Sequence, residues 1–295
     1  MSNEKNPLAS MLEQYESNNK PKYENTQSKV YDLKNYFNTY IKEGVDSGSK
    51  TIRILPTADG SSPFKQMWGH KIKIDGETKT FACLKHEEDK PCPFCETREL
   101  LLATKKETDK ELAKKYSARL MYVVKVVDRD NEADGVKFWR FAHDFRKEGV
   151  FDKIIGLSSA IKKDITNAET GRDLVITINR NQNKVPVVSA IASLDASPLS
   201  DDSEKMAKWL SEEEQKRTWR DVYAVKPYSY LEIIVKGGTP VWDKEANSYV
   251  DKASVKNPTN DSESEVTFGI ENLKAQTVAS TSADVVEDEG DDLPF

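Results

Sequence analysis

Four residues constrain this chain more than any other feature: His70, Cys83, Cys92 and Cys95. All three cysteines lie in this one stretch, the last two in a Cys-Pro-Phe-Cys knuckle. One imidazole and three thiolates complete a tetrahedral shell for zinc, and a shell made wholly of protein leaves no position for a reactive water. The spacing therefore predicts a single Zn2+ that is structural, not catalytic. It also predicts that the metal gathers residues 70–95, a segment with few large apolar residues from which to build a core. Two alternatives stay open in the sequence: His86 takes the place of His70, or the Cys-x-x-Cys pair serves redox chemistry.

The rest of the composition narrows the class. Hydrophobic residues make up 37% and charged residues 32% of the 295, which suits a soluble protein with a large solvated fraction. No apolar run approaches a membrane span, and the first twenty residues lack a signal-peptide core, so the expected location is cytoplasmic. An odd number of cysteines at metal spacing fits a reducing compartment. The net charge of −6 conceals an asymmetry. Residues 251–295 hold 11 Asp and Glu against Lys252, Lys256 and Lys274, a net of −8, which leaves +2 for the remainder. An almost neutral to basic body carries an acidic tail.

Along the chain, residues 1–24 read as a polar N-terminal arm, 25–250 as one folded core with a zinc subdomain at about 64–100, and 251–295 as a disordered acidic tail. Thr51–Leu55 alternates like a strand and stops at Pro56. Asp75-Gly76 reads as a hairpin turn. Glu96–Lys106 reads as a helix, and Thr108-Asp109-Lys110-Glu111 as the capping box of the next one. Arg119–Val127 and Val136–Ala142 are the clearest strands, Phe145–Lys163 is helical, Asp173–Asn179 and Val185–Ala192 are paired strands, and Ser203–Arg217 is one amphipathic helix. Beyond Gly237-Gly238 the pattern decays. The expected fold class is α+β, mainly β: an OB-fold-like barrel with a small structural zinc subdomain and helical insertions.

Two of these strands mix rings and cations. One carries Arg119, Tyr122 and Lys125, the other Lys137, Phe138, Trp139, Arg140 and Phe141. Alternation puts Trp139 on one face with Lys137 and Phe141, and Phe138 on the other with Arg140. One face should enter the core, leaving the other to meet a ligand. Rings that stack bases beside cations that neutralise phosphates are what single-stranded nucleic acid requires. The preceding helical stretch adds Lys105, Lys106, Lys110, Lys114 and Lys115, and from Arg98 to Lys125 there are 8 Lys and Arg against 4 Asp and Glu. The competing reading is ordinary core aromatics with solvated lysines. No Walker loop, nucleophile motif or carboxylate cluster appears, so the chain does not read as an enzyme.

The tail closes on an acidic run followed by an apolar tip: Asp291, Asp292, Leu293, Pro294 and Phe295. Phe295 can enter an apolar pocket of a partner while a cation binds the carboxylate, and the same acids can compete with nucleic acid for a basic groove.

Together these residues resemble the zinc-containing gene 32 single-stranded DNA-binding protein family of T-even bacteriophages, over roughly residues 28–165. The resemblance rests on Ile52-Arg53-Ile54-Leu55-Pro56, the His70/Cys83/Cys92-Pro93-x-Cys95 set, and the strands around Val123-Val124-Lys125 and Phe138-x-Arg140-Phe141. It implies an OB-fold that coats single strands in phage DNA replication, recombination and repair, in the cytoplasm of an infected bacterium. His70, Cys83, Cys92 and Cys95 would be the zinc ligands. Tyr116, Tyr122 and Trp139 would be groove aromatics, and Arg53, Arg119, Lys125 and Arg140 phosphate contacts. Implied partners are single-stranded DNA, replication and recombination proteins met through the tail (a polymerase, a helicase loader, a recombination mediator), and self-association on DNA. The family's arm is basic, whereas this one carries only Lys5 and Lys20 against Glu4, Glu13 and Glu16 in its first 20 residues. The tip is closer to that of bacterial single-strand-binding proteins. The alternative is an RNA-binding or transcription-associated zinc protein, since no residue obviously rejects a 2′-hydroxyl.

Overall fold

An eleven-residue strand, Ala118–Asp128, is the spine of the structure, a computed structural model that describes residues 32–255. Its sequence, ARLMYVVKVVD, is β-branched and aromatic enough to be buried on both faces, and Met121–Val124 and Val126–Asp128 are all buried. In chain order the strands are β1 (Tyr36–Phe37), β2 (Ser47–Ile54), β3 (Lys65–Ile74), β4 (Glu77–Ala82), the spine β5, β6 (Val136–Ala142), β7 (Arg172–Arg180), β8 (Pro186–Ala196), β9 (Pro240–Asp243) and β10 (Ser248–Asp251). The α-helices are α1 (Leu84–Glu88), α2 (Pro93–Ala103), α3 (Glu107–Lys115), α4 (Val150–Ile161), α5 (Ser203–Trp209), α6 (Glu212–Lys216), α7 (Trp219–Val222), α8 (Tyr228–Val235) and α9 (Lys252–Val255).

The main sheet runs β1-β6-β5-β2-β7-β8, with the β3–β4 hairpin hydrogen-bonded to the first half of β5. Leaving aside β1, which lies parallel on β6, the strands β2, β5, β6, β7 and β8 with α4 between the third and fourth have the order expected of an OB-fold. The sheet curls around one core. Phe37 from one edge and Val188 and Ile191 from the other pack on the same cluster of Ile52, Ile54, Val124, Trp139, Phe141, Leu174 and Ile176. Helix α4 adds Ile154 to that cluster. The expected mixed α+β fold is therefore present, and the metal-region hairpin is an insertion between β2 and β5.

Local chemistry explains most element boundaries. The β3–β4 turn is Asp75-Gly76, with φ of 52° and 89°, the paired positive values that a two-residue hairpin of this twist demands. The expected capping box at Thr108 is not formed. Helix α3 starts at Glu107, one residue before Thr108, and Asp109, buried, instead accepts from Thr104 Oγ1 at 2.8 Å. The single helix expected over Ser203–Arg217 is split at Leu210-Ser211, where Ser211 Oγ caps α6 by accepting from the Glu214 amide. Sequence reading missed the β9–β10 hairpin, in which Trp242 faces Tyr249 across the pair. The arm and the acidic tail lie outside the described residues, apart from the start of the tail at β10.

Candidate metal centre and nucleic-acid interface

The four ligand candidates come from three elements that the hairpin brings together. His70 lies on β3, Cys83 is the N-cap of α1, Cys92 is the N-cap of α2, and Cys95 sits in the first turn of α2. Three of the four thus sit at helix N-termini, where the positive end of the helix dipole favours thiolate. All four residues are buried, and their ligand atoms lie within 4.8 Å of one another, so the cluster could hold a metal ion.

The spacing inside the cluster tests that fit. His70 Nε2 is 3.4 Å from Cys92 Sγ and 3.7 Å from Cys95 Sγ, and Cys83 and Cys95 are 3.5 Å apart through their sulfurs. A tetrahedral shell with zinc–sulfur bonds of about 2.3 Å and zinc–nitrogen bonds of about 2.0 Å has edges of roughly 3.5–3.8 Å. A disulfide would need about 2.05 Å. The other His70 nitrogen, Nδ1, is 2.9 Å from the Tyr116 carbonyl, which orients the ring with Nε2 facing the sulfurs. His86 is outside the four. Its Nδ1 hydrogen-bonds Cys83 Sγ at 3.1 Å and its ring stacks on Trp68 at 4.6 Å.

Electrostatics in the cluster agree with a cation. Burial alone would push the His70 imidazolium down, but hydrogen bonds and charge from Cys83 and Cys92 outweigh it and raise its pKa to about 9. Hydrogen bonds from Cys83 and Cys95 hold the Cys92 thiol far below its ordinary value, while those with Cys83 and Cys92, and then burial, push Cys95 up. A proton on His70 balances a thiolate here, which is the place a divalent cation would take.

The aromatic and basic strand residues are placed differently from expectation. Trp139 is fully buried between Phe37 and Phe141, with ring centroids at 5.4 and 4.8 Å. Tyr122 is in the same core and stacks on Phe151 at 4.2 Å. Arg53 is also fully buried, pairs with Asp173 at 3.2 Å and donates to the carbonyls of Asn167 and Ser197 at 3.1 and 2.7 Å. The backbone fits it closely: a Cβ on Gly171 would lie 2.8 Å from the Arg53 guanidinium and 2.3 Å from the Asn167 carbonyl. Burial pushes the Arg53 pKa down, and Asp173 opposes the shift. Lys137 is buried between Asp128 and Asp134 at 3.3 and 2.8 Å. Tyr116 packs beside Phe94, and its carbonyl serves His70. These groups hold the fold together, and as folded they present no stacking or phosphate-binding face.

The second strand face is covered as well. Lys125 and Arg217 both lie over the Phe138 ring, at 5.7 and 4.9 Å, and Arg140 lies over Tyr223 at 4.6 Å. Residues 211–223 supply that cover from far along the chain. Of the expected contacts, Lys105, Lys106 and Arg119 are exposed.

A cleft that sequence reading missed opens where β3, the end of β6, the start of α4 and the start of β8 meet. Lys71, Arg140, His143 and Lys153 line it, with Asp144 as the acidic member and Val187 and Val188 as an apolar wall. At its rim Phe145 is 79% exposed and meets His143 edge-on at 4.6 Å. Arg146 and Lys147 follow it and are exposed too. The signal was the loop sequence His-Asp-Phe-Arg-Lys, a ring followed by two cations just after a strand.

A family model described as gp32 DNA binding protein like matches residues 46–227. The chain belongs to this family of DNA-binding proteins. The match spans β2 to α7 with the whole metal cluster and the cleft, and the family is not one of enzymes. No curated protein matches the chain. Among the described residues no helix is long and apolar enough to cross a membrane.

Proposed function

We infer that the chain is a sequence-tolerant single-stranded DNA-binding protein whose His70, Cys83, Cys92 and Cys95 hold one structural zinc. It coats exposed single strands during phage replication, recombination and repair in the host cytoplasm. The observation that carries this reading is the cleft: Lys71, Lys153 and His143, with the exposed Arg146 and Lys147 next to an almost fully exposed phenylalanine, in a member of a DNA-binding family. A ring exposed to that degree adds nothing to a core. Beside lysines it offers a base something to stack on while the cations meet phosphates. A zinc there would tie β3, the strand that carries Lys71, to α1 and α2.

Titrating the protein with oligodeoxythymidylate, duplex DNA and oligoribonucleotide tests the reading. Single-stranded DNA should bind best, with a logarithmic salt slope of about −0.7 per phosphate neutralised. Phe145→Ala should weaken binding by about 1–3 kcal/mol and leave the fold intact. Equal or tighter binding to duplex would overturn the reading, and preference for RNA would move it to the RNA-binding alternative.

The acidic segment adds a second role. Asp291, Asp292, Leu293, Pro294 and Phe295 dock replication and recombination partners, and the upstream acids compete with DNA for the cleft. Truncation after Ala283 should tighten DNA binding, most visibly at low salt. Deleting Phe295 alone should keep that competition and abolish partner capture. Identical partner profiles with and without Phe295 would remove the docking claim.

A further inference from the structure

Residues 211–217 lie between two anchors, Trp209 and Trp219, which are buried to 3% and 8% exposure. None of the seven is itself buried. They are held by polar contacts. Lys125 Nζ donates to the Glu214 carbonyl and lies 3.6 Å from its carboxylate, Arg217 pairs with the same carboxylate at 3.1 Å, and Gln215 bridges to the Ala58 amide and the Pro56 carbonyl. Beneath residues 211–216 are Phe138 and the two cations stacked on it, Lys125 and Arg217, the latter held to the body by the Val136 carbonyl at 3.2 Å and Asn35 Oδ1 at 2.5 Å. A buried ring with two cations over it and a carboxylate between them has the groups that a base and a phosphate would need.

We propose that the Lys125–Phe138–Arg217 face is a second nucleic-acid-binding surface, closed by a lid of residues 211–216 in which Glu214 stands where a phosphate of the strand would bind. The proposal rests on the single-stranded DNA reading above and adds to it a surface that opens when DNA competes with Glu214. Buried anchors on both sides let the lid swing out without unfolding its neighbours, because opening exposes polar groups that water can satisfy and one ring, Phe138, that a base would cover. Burial pushes the Lys125 pKa down and Glu214 opposes that shift, so the face calls for an anion. Asp221 is a second acid acting on Lys125, but it is committed to capping α7 through Thr218. It stays on the anchored side when the lid opens.

Glu214→Gln in the full chain keeps the shape and removes the charge. It should bind oligodeoxythymidylate roughly three- to tenfold more tightly, with a salt slope steeper by about 0.7 for each added phosphate contact. A coupling measurement separates this from a general charge effect. Lys125→Gln should cost little affinity alone, where Glu214 already neutralises the lysine, and much more in the Glu214→Gln background. In the unmodified chain, oligonucleotide should also speed tryptic cleavage after Lys216. Additive effects of the two substitutions, or cleavage unchanged or slowed by DNA, would overturn the lid. If neither the unmodified chain nor Glu214→Gln binds single strands, the proposed function itself fails. If both bind equally, only the lid does.

Discussion

Cys92→Ser should strip the protein of its metal and melt residues 65–116, leaving the barrel standing. The cluster that surrounds the four ligands is small: Phe81, Leu84 and Phe94 from the insertion, closed by Leu231 and Val235 of α8. Structural zinc contributes on the order of 10–16 kcal/mol of binding free energy in small metal domains, and losing one thiolate of four removes a large share. The main core draws only on strands β1, β2 and β5 to β8, helix α4 and adjoining segments, so it survives. Hydrogen exchange should show lost protection in β3, β4, α1 and α2 and retained protection in β7. Metal analysis should fall from one ion per chain to well below that. His86→Ala, by contrast, should retain the ion, since His86 reaches Cys83 only through a hydrogen bond. Acidification should release the metal from the unmodified protein. His70, raised to about 9 in the metal-free cluster, holds a proton at neutral pH that the ion must displace, so affinity rises with pH up to that range. Full metal content in Cys92→Ser with unchanged exchange would refute the assignment.

The metal cluster was legible in the sequence because ligand chemistry fixes it: three thiols and an imidazole have few other reasons to lie so close in a chain. The choice of His70 over His86 was not fixed that way. It follows from the β3–β5 pairing that sets His70 opposite Ala118, two residues from the Tyr116 carbonyl that orients the ring. The long strands were legible for a similar local reason, since Val136–Ala142 is rich in aromatic residues and follows Asp134-Gly135. What alternation could not show is what covers each face. It separated Trp139 from Phe138 correctly, but the cover over Phe138 and Arg140 comes from residues 211–223, some 70 to 85 positions later. Arg53 shows the same limit. A lone arginine between two isoleucines reads as an exposed cation, and only the folded chain brings Asp173 and two carbonyls to bury it. Phe145 shows the opposite error: it reads as the first residue of a helix over Phe145–Lys163, whereas the helix begins at Val150 and leaves the ring in the loop before it.

Trp139→Ala should destabilise the protein by about 3–5 kcal/mol, the cost of removing a large ring from a core that cannot collapse around the gap. The ring is fully buried, and its neighbours come from separate parts of the chain: Phe37 from β1, Phe141 from β6 itself, and beyond them α4 and the strands on the other side of the core. Those backbones are tied by sheet hydrogen bonds, Phe37 opposite Trp139 and Val124 opposite Trp139 among them, so they have little freedom to close the cavity. Denaturant titration should show the loss, with fluorescence from the remaining four tryptophans as the probe. The folded fraction of Trp139→Ala should bind single-stranded DNA with an affinity close to that of the unmodified protein. Phe145→Ala should do the reverse and lose binding at almost constant stability, because its ring is 79% exposed. The two variants separate a fold-supporting ring from a stacking ring, although the sequence presents both as an aromatic beside a cation. Near-native stability in Trp139→Ala together with lost binding would show that the tryptophan leaves the core to meet DNA.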